Sequence, residues 1–436
     1  MTYDLIIIGS GPAGYVAAIR AGQTGLKTLI IDRKYVGGMC LNWGCIPTKS
    51  LLESAKMMKK VRSAHEFGIA GIQADQLSFD WPQALKRTNQ VVAKLTRGIE
   101  YLWKKNGVEF LKAEAKILSA TQVQADKRIF EAKNILIATG SRPASQELFE
   151  GSIDLEDLYS LKELPKAPLL YGRGGHLIEL AQFFALIGSN PVIIAADLPL
   201  IPPLDEALES FIQRKLKKDK IPVLTVAESQ IKKGMILSKG QEYPFDKVLN
   251  VSYRAAVLPP MDLELELDNG YIKTDRSHET SVKGIYAAGD VSGKSFVAHA
   301  ASAQAMEVIE AIQGIAPPQE QRRYPINIYT DPELAQIGLT ESQIKAQGIP
   351  YEVNQHPLTA NAKALAEGSS EGFIRVLYET KYHQVLGVQI AAEHATDLIS
   401  EAGILMELEG TSYDLARTIH AHPTVAEIYM DAGEVE

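Results

Sequence analysis

Cysteine is almost missing from this chain. Its 436 residues hold only Cys40 and Cys45. Two cysteines cannot build the disulfide framework of a small secreted fold, and a pair this close points to redox or metal chemistry. No apolar run approaches the ~18 residues of a membrane span. A basic excess is missing too, since 45 Lys+Arg face 53 Asp+Glu for a net charge of −8. Nucleic-acid binding, which uses a basic stripe, is therefore not expected. The opening residues carry no basic stretch, and the apolar run 5–8 is too short for a signal peptide, so a cytoplasmic location is expected. No low-complexity linker separates the predicted units, which predicts closely packed domains. Apolar residues make up 46% and charged residues 22%, a globular balance. The length predicts about two to four domains at roughly 100–200 residues each.

Residues 3–8 form a short Ile-rich run that reads as a buried strand. Gly9-Ser10-Gly11-Pro12-Ala13-Gly14 follows, then a helical stretch to residue 22. A second apolar run, 28–31, is closed by Asp32. Strand, glycine turn, helix, strand and acid is the context that gives a dinucleotide fingerprint its meaning. Gly9 permits the tight turn, Gly11 lets backbone approach a pyrophosphate, and Gly14 lets the helix pack on the strand. The helix N-terminus faces the phosphates, and Asp32 accepts from a ribose hydroxyl. A nucleotide site is expected here, against the plainer alternative of a structural glycine turn. Polar helices are expected over 48–62 and 79–106, with a solvated charged face. Another strand, 134–138, ends in Thr139-Gly140-Ser141.

A partial repeat begins near residue 169. An apolar strand enters Gly172-Arg173-Gly174-Gly175-His176-Leu177, then a helix with Glu179, then a strand over 191–195. A strand over 281–287 ends in Ala288-Gly289-Asp290, with a helix from about Val297. Strands at 325–330, 372–378 and 385–391 and helices near 396–407 and 413–418 make a last, mixed domain.

Gly37-Gly38-Met39-Cys40-Leu41-Asn42-Trp43-Gly44-Cys45-Ile46-Pro47-Thr48-Lys49 is the strongest signal. Two cysteines five apart, with glycines before and between, can close a small ring at the irregular start of a helix. The helix N-terminus and Lys49 favour a thiolate. A redox disulfide is expected; two buried thiols and a metal site are the alternatives. A metal would need two further ligands, and none is expected.

With these motifs the chain resembles the flavin-dependent pyridine nucleotide–disulfide oxidoreductases, and among them the dihydrolipoamide dehydrogenases. The resemblance runs from about residue 3 to 433. It rests on the segment 37–49, on His420-Ala421-His422-Pro423-Thr424-Val425-Ala426-Glu427, and on 329–340. It implies an α/β fold with two Rossmann-like three-layer domains and a C-terminal α+β dimerisation domain. The implied boundaries are 1–143 with 259–324 for FAD, 144–258 for a degenerate NAD-binding-like domain, and 325–436 for dimerisation. The resemblance implies FAD contacts at Gly9, Gly11, Pro12, Ala13, Gly14, Asp32, Arg33, Gly38, Lys49, Ala113, Ala138, Thr139, Gly140, Gly289, Asp290, Phe296, Val297 and Ala298. It implies Cys45 as the sulfur beside the flavin and Cys40 as the one that exchanges with substrate. Lys49 and Glu179 are implied as an ion pair near the flavin, His422 as the base, and Glu427 as the acid that orients it. A homodimer is implied, with His422 reaching the partner's disulfide. The implied substrate is a dithiol such as dihydrolipoamide, including one carried on a lipoyl-bearing protein. The physics agrees. Asp290 at a strand end can accept from a ribityl hydroxyl, and the helix from 297 aims its positive end where negative charge develops. Imidazole suits thiol deprotonation near neutral pH. Thr424-x-x-Glu427 also reads as a capping box, and both roles are compatible. His420 reads as structural.

Departures gather at the second fingerprint. Leu177 stands where the third glycine belongs, and Ala195 where the ribose acid belongs, with Asp197 two residues late. Gly175 replaces an aromatic gate, and Tyr253 a glycine at a later turn. Losing one charged hydrogen bond costs about 1.5–3 kcal/mol, or roughly 10–100-fold in affinity. NAD binding is therefore expected to be weakened or lost, with electrons leaving to another acceptor. The alternatives are an ordinary NAD-dependent dihydrolipoamide dehydrogenase and a non-catalytic flavoprotein scaffold that binds a lipoyl protein. Retention of Cys40, Cys45, Lys49, Glu179, His422 and Glu427 argues against the scaffold.

Overall fold

Leu5 and Ile7 point to one face of the first strand, Ile6 and Ile8 to the other, and all four are buried. A strand buried on both faces belongs inside a parallel sheet covered on both sides. The computed structural model describes residues 2–144, 149, 151–252, 254–316 and 323–434. The chain divides into two compact units: Met1–Ser54, Asp80–Leu164 and Ser252–Gln321; and Ala55–Phe79, Pro165–Val251 and Arg322–Glu436.

In the first unit, Thr2–Ile8 pairs in parallel with Thr28–Asp32 on one edge and Arg128–Ile137 on the other. Glu109–Lys112 extends the sheet in parallel beyond Thr28–Asp32. Arg128–Ile137 is longer than the strand expected at 134–138. Its first half is largely exposed and carries no apolar run, so only the buried half was legible. That first half pairs antiparallel with Gln122–Ala125, and the second half pairs parallel with Ile285–Ala287. The helices Pro12–Gln23, Trp81–Lys105 and Ala298–Ile312 cover the Leu5/Ile7 face with Ala17, Trp103 and Val308 among the packed residues.

The second unit holds a parallel sheet in the order Val223–Thr225, Val192–Ala195, Pro168–Gly172, Lys247–Val251. It also holds a five-stranded antiparallel sheet: Ile326–Ile328, Glu333–Gly338, Val385–Ala392, Phe373–Glu379, Tyr351–Pro357. Val376, Val388, Ile399, Met406 and Tyr429 form the core between that sheet and its helices. Two of the five strands were not expected. Tyr351–Pro357 is an edge with polar residues and no buried position. Glu333–Gly338 contains the buried Gln336, whose Oε1 accepts the Asp205 N–H at 2.7 Å. Arg375 then bridges Asp205 (Nη1 to Oδ1, 3.0 Å) and Glu341, so a charged residue sits buried inside a strand because both neighbours pair with it. Among the described residues no helix is long and apolar enough to cross a membrane.

Candidate active site

The first unit brings three separated turns together. Gly9 has φ +101°, and a Cβ there would lie 2.3 Å from Ala138 O. A Cβ on Gly14 would lie 1.9 Å from Gly9 O. Gly289, at φ +79°, packs on Ala13 and Ala301. Residues 9–14, 138–140 and 289–290 therefore share one rim. Gly38 joins it, since its Cβ would meet Gly11 Cα at 2.7 Å. Gly11 and Gly140 behave differently: a Cβ on either would meet nothing within 4 Å. Packed glycines frame the rim, and Gly11 and Gly140 leave open space beside it.

Polar groups on that rim fit FAD. Thr139 Oγ1 is buried and has no hydrogen-bond partner among the described residues. The helix Ala298–Ile312 starts just after Phe296 and Val297, and Phe296 packs edge-on against Tyr271. Asp290 lies beside Arg254 Nε at 3.4 Å and hydrogen-bonds to Ser141 Oγ. Arg254 also donates to Ser141 Oγ and Ser141 O, both at 2.6 Å. Asp32 is engaged by its own loop: Oδ2 accepts from Ser10 N and Ser10 Oγ, and Oδ1 from Lys34 N and Tyr35 N. Its four acceptor sites organise the turn, and a ribose hydroxyl would share them. Ala113 N donates to Asp32 O at 3.0 Å, and Arg33 pairs loosely with Glu114 across exposed surface.

Cys40 lies on the short helix Gly38–Asn42, and Cys45 opens the helix Cys45–Arg62, with Lys49 one turn on. The two thiols are not joined by a disulfide and are hydrogen-bonded to each other. The bond to Cys45, then burial, push the Cys40 thiol far above its usual range, against the pull of Lys49. Cys45 sits at the N-terminus of Cys45–Arg62, where the helix dipole favours negative charge. The Tyr15 phenol is raised by burial and by both cysteines.

Glu179 and His422 belong to the second unit. Glu179 is buried, and its Oε1 accepts the Tyr329 N–H at 2.9 Å. His422 Nδ1 donates to Glu427 Oε1 at 2.8 Å, while Glu427 Oε2 accepts the Thr424 N–H at 2.8 Å. One carboxylate caps the turn and orients the ring. With Nδ1 engaged, Nε2 is the nitrogen left for an incoming proton, on a ring that is 73% exposed. His420 is held differently, with Nε2 2.6 Å from Glu401 and Nδ1 3.0 Å from Thr418 O.

The second glycine turn follows Pro168–Gly172 and opens the helix Gly175–Leu186. Leu177 is fully buried where the first turn has Gly14. A Cβ on Gly175 would touch Ile328 at 3.4 Å. Asp197 Oδ2 lies 3.9 Å from Arg173 Nη1. Tyr253 lies outside the described residues.

The sequence profile of the pyridine nucleotide-disulphide oxidoreductases matches residues 3–305, and that of their dimerisation domain matches 324–432. This chain belongs to that family. Family members named dihydrolipoyl dehydrogenase resemble it over almost its whole length. The one from Bacillus subtilis is 36% identical, covering 98% of this chain and 97% of its own. The one from Mycoplasma genitalium is 35% identical, covering 99% and 98%. Among solved structures, LpdA from Mycobacterium tuberculosis superposes with a TM-score of 0.89 at 22% identity, covering 98% of each chain. The HOCl-induced flavoprotein disulfide reductase RclA from Escherichia coli gives 0.87 at 21%, covering 99% of each. These two share the fold. The chain is accordingly a flavoprotein disulfide oxidoreductase of the dihydrolipoyl dehydrogenase family, an enzyme, with FAD as its cofactor.

Residues that sequence reasoning passed over support this oxidoreductase's rim. Buried Gln304 accepts the Gly289 N–H at 2.7 Å. Its signal was present: one amide on a helix face otherwise made of Ala300, Ala301, Ala305 and Val308. Ser10 and Arg254 gave no such signal, because their partners lie far along the chain.

Proposed function

We propose that the chain oxidises a dithiol of the dihydrolipoamide kind through Cys40 and Cys45, as a homodimer, and that its NAD contacts are weakened or lost. The observation that carries the dithiol step is the Cys40–Cys45 hydrogen bond at a helix start, on the glycine rim. Cys40 takes the exchanging role and Cys45 the thiolate role. FAD, when bound, supplies the two-electron acceptor for the pair. Gly11, Gly140 and Thr139 shape and line its place; Lys49 keeps a positive charge one turn from Cys45. His422, oriented by Glu427, accepts the substrate thiol proton at Nε2 of the partner-facing ring. The dimerisation domain, matched over 324–432, supports the homodimer. Three domains with the boundaries 1–143 plus 259–324, 144–258 and 325–436 fit this division of labour. A thiol pair that must cycle through its reduced form suits the cytoplasm.

Weak NAD binding is supported by Leu177 and Ala195 at the second turn. The ordinary NAD-dependent enzyme is the second reading, favoured by relatives named dihydrolipoyl dehydrogenase at 32–36% identity. One experiment separates them: anaerobic FAD-loaded protein is mixed with dihydrolipoamide and, separately, with NADH while the flavin spectrum is followed. Rapid bleaching by dihydrolipoamide with slow or no bleaching by NADH is expected. Rapid reduction by NADH would establish the ordinary enzyme. Cys40→Ser should show a long-wavelength thiolate–flavin band without reduction, and Cys45→Ser should never show it. Identical spectra would remove the role assignment.

A further inference from the structure

The end of the second strand of a dinucleotide fold meets the adenosine ribose. An acid there accepts from the 2′-hydroxyl, whereas an arginine nearby accommodates a 2′-phosphate. In the second unit that position is Ala195, fully buried and apolar. Arg173 leaves the neighbouring strand at its side. Gly172 is in register with Ala195, and the Ala196 N–H donates to Gly172 O at 3.0 Å. Arg173 therefore runs alongside residues 196–199. Its Nε donates to Pro199 O at 3.0 Å, and its Nη1 lies 3.9 Å from Asp197 Oδ2. The backbone of this loop is anchored separately, through Leu200 N and Ile201 N to the Glu209 carboxylate at 2.7 and 3.3 Å. A guanidinium is thus tied at the strand end, where the usual arrangement has a carboxylate. The strand end thus carries an Arg173–Asp197 ion pair in place of a lone acid.

We propose that Arg173 makes this strand end a subsite for the 2′-phosphate of an adenosine dinucleotide, so that any dinucleotide the second turn still takes is the 2′-phosphorylated one. The proposal rests on the reading that the turn's NAD contacts are weakened or lost. An unphosphorylated ribose meets a methyl group at Ala195 and gains nothing. A phosphate would gain charge-assisted hydrogen bonds from a planar guanidinium whose Nε is held by Pro199 O and whose Nη1 lies near Asp197. Asp197 is the opposing charge. Its Oδ2 lies 3.9 Å from Arg173 Nη1 and its side chain is 64% exposed, so a phosphate would compete with it for the guanidinium.

The test uses FAD-loaded protein and calorimetric titration with 2′,5′-ADP against 5′-AMP, and with NADPH against NADH. The 2′-phosphorylated member of each pair is expected to bind at least about tenfold tighter, the scale of a charged hydrogen bond. Arg173→Ala should close that gap, and Asp197→Asn should widen it without changing 5′-AMP binding. Equal flavin content and melting temperature in both variants would show that they fold. Equal binding of 2′,5′-ADP and 5′-AMP, a gap that survives Arg173→Ala, or no binding of any of the four would overturn the proposal. Low-micromolar NADH binding would instead overturn the reading beneath it.

Discussion

Residues 9–14 and 172–177 begin as the same device: a parallel strand, a glycine turn and a helix. They part at the third position and at the end of the next strand. In the first turn the backbone closes so tightly that a Cβ on Gly14 would overlap Gly9 O. In the second, Leu177 is buried whole, and Gly172 has φ +140° where Gly9 has +101°. The first strand end carries Asp32, which gathers three backbone N–H groups and a hydroxyl. The second carries Ala195, and its loop is held from outside by Glu209. Strand, turn and helix persist although the third glycine and the strand-end acid differ, because packing and ligand binding use different atoms of one motif.

The most drastic way to break the comparison is to give the first turn the second's residue. Gly14→Leu is expected to abolish FAD binding completely, read as flavin absorbance per purified protein. Gly11→Ala is the finer version. Its Cβ meets no protein atom and its φ of −65° suits alanine, so the fold should survive while flavin content falls. Full flavin retention in Gly11→Ala would show that the open space is not the cofactor's.

The reverse exchange is the next largest. Ala195→Glu with Leu177→Gly should raise NADH affinity by about 100-fold or more, from a restored ribose bond and a reclosed turn. Leu177→Gly alone should cost about 3–5 kcal/mol in chemical denaturation, the scale of emptying a buried leucine site. An unchanged NADH titration in the double variant would mean that those two residues are not what weakens the site.

Asp32→Ala should lower stability by about 1–3 kcal/mol, since it strands donors that Asp32 now satisfies. An unchanged denaturation midpoint would assign the turn's order to other groups. The smallest effect concerns Glu427. The Thr424 N–H first, and His422 second, hold its carboxyl below the usual carboxylate range. The support it gives the His422 turn is complete above an ordinary glutamate's pKa of about 4.3. That support fades as pH falls through the lowered folded value. Glu427→Gln should remove this acid limb from the pH profile of dithiol oxidation, and an identical profile would contradict the orienting role.

How far the sequence carried each feature follows from how local that feature is. The first glycine turn, the paired cysteines and the Thr424–Glu427 capping box are short runs in which neighbours interact with neighbours, so residue type and spacing were enough. The C-terminal helices and the strands 372–378 and 385–391 appeared nearly at their true limits, since their apolar residues repeat strongly. Glu333–Gly338 did not, because Gln336 breaks its apolar pattern and is tolerated only through a bond to Asp205, 131 positions away. Tyr351–Pro357 was missed because an edge strand needs no buried face.

Sequence by itself determined the fold class, the family and the chemistry-bearing motifs, since each is written in contiguous residues. Tertiary structure decided which glycines are packed and which face open space, that Asp32 also holds its own loop, that Gln304 holds the Gly289 turn, and that Arg173 stands beside Ala195. These are contacts between residues far apart in the chain. Their partners are set by strand register and helix packing, which no local spacing encodes.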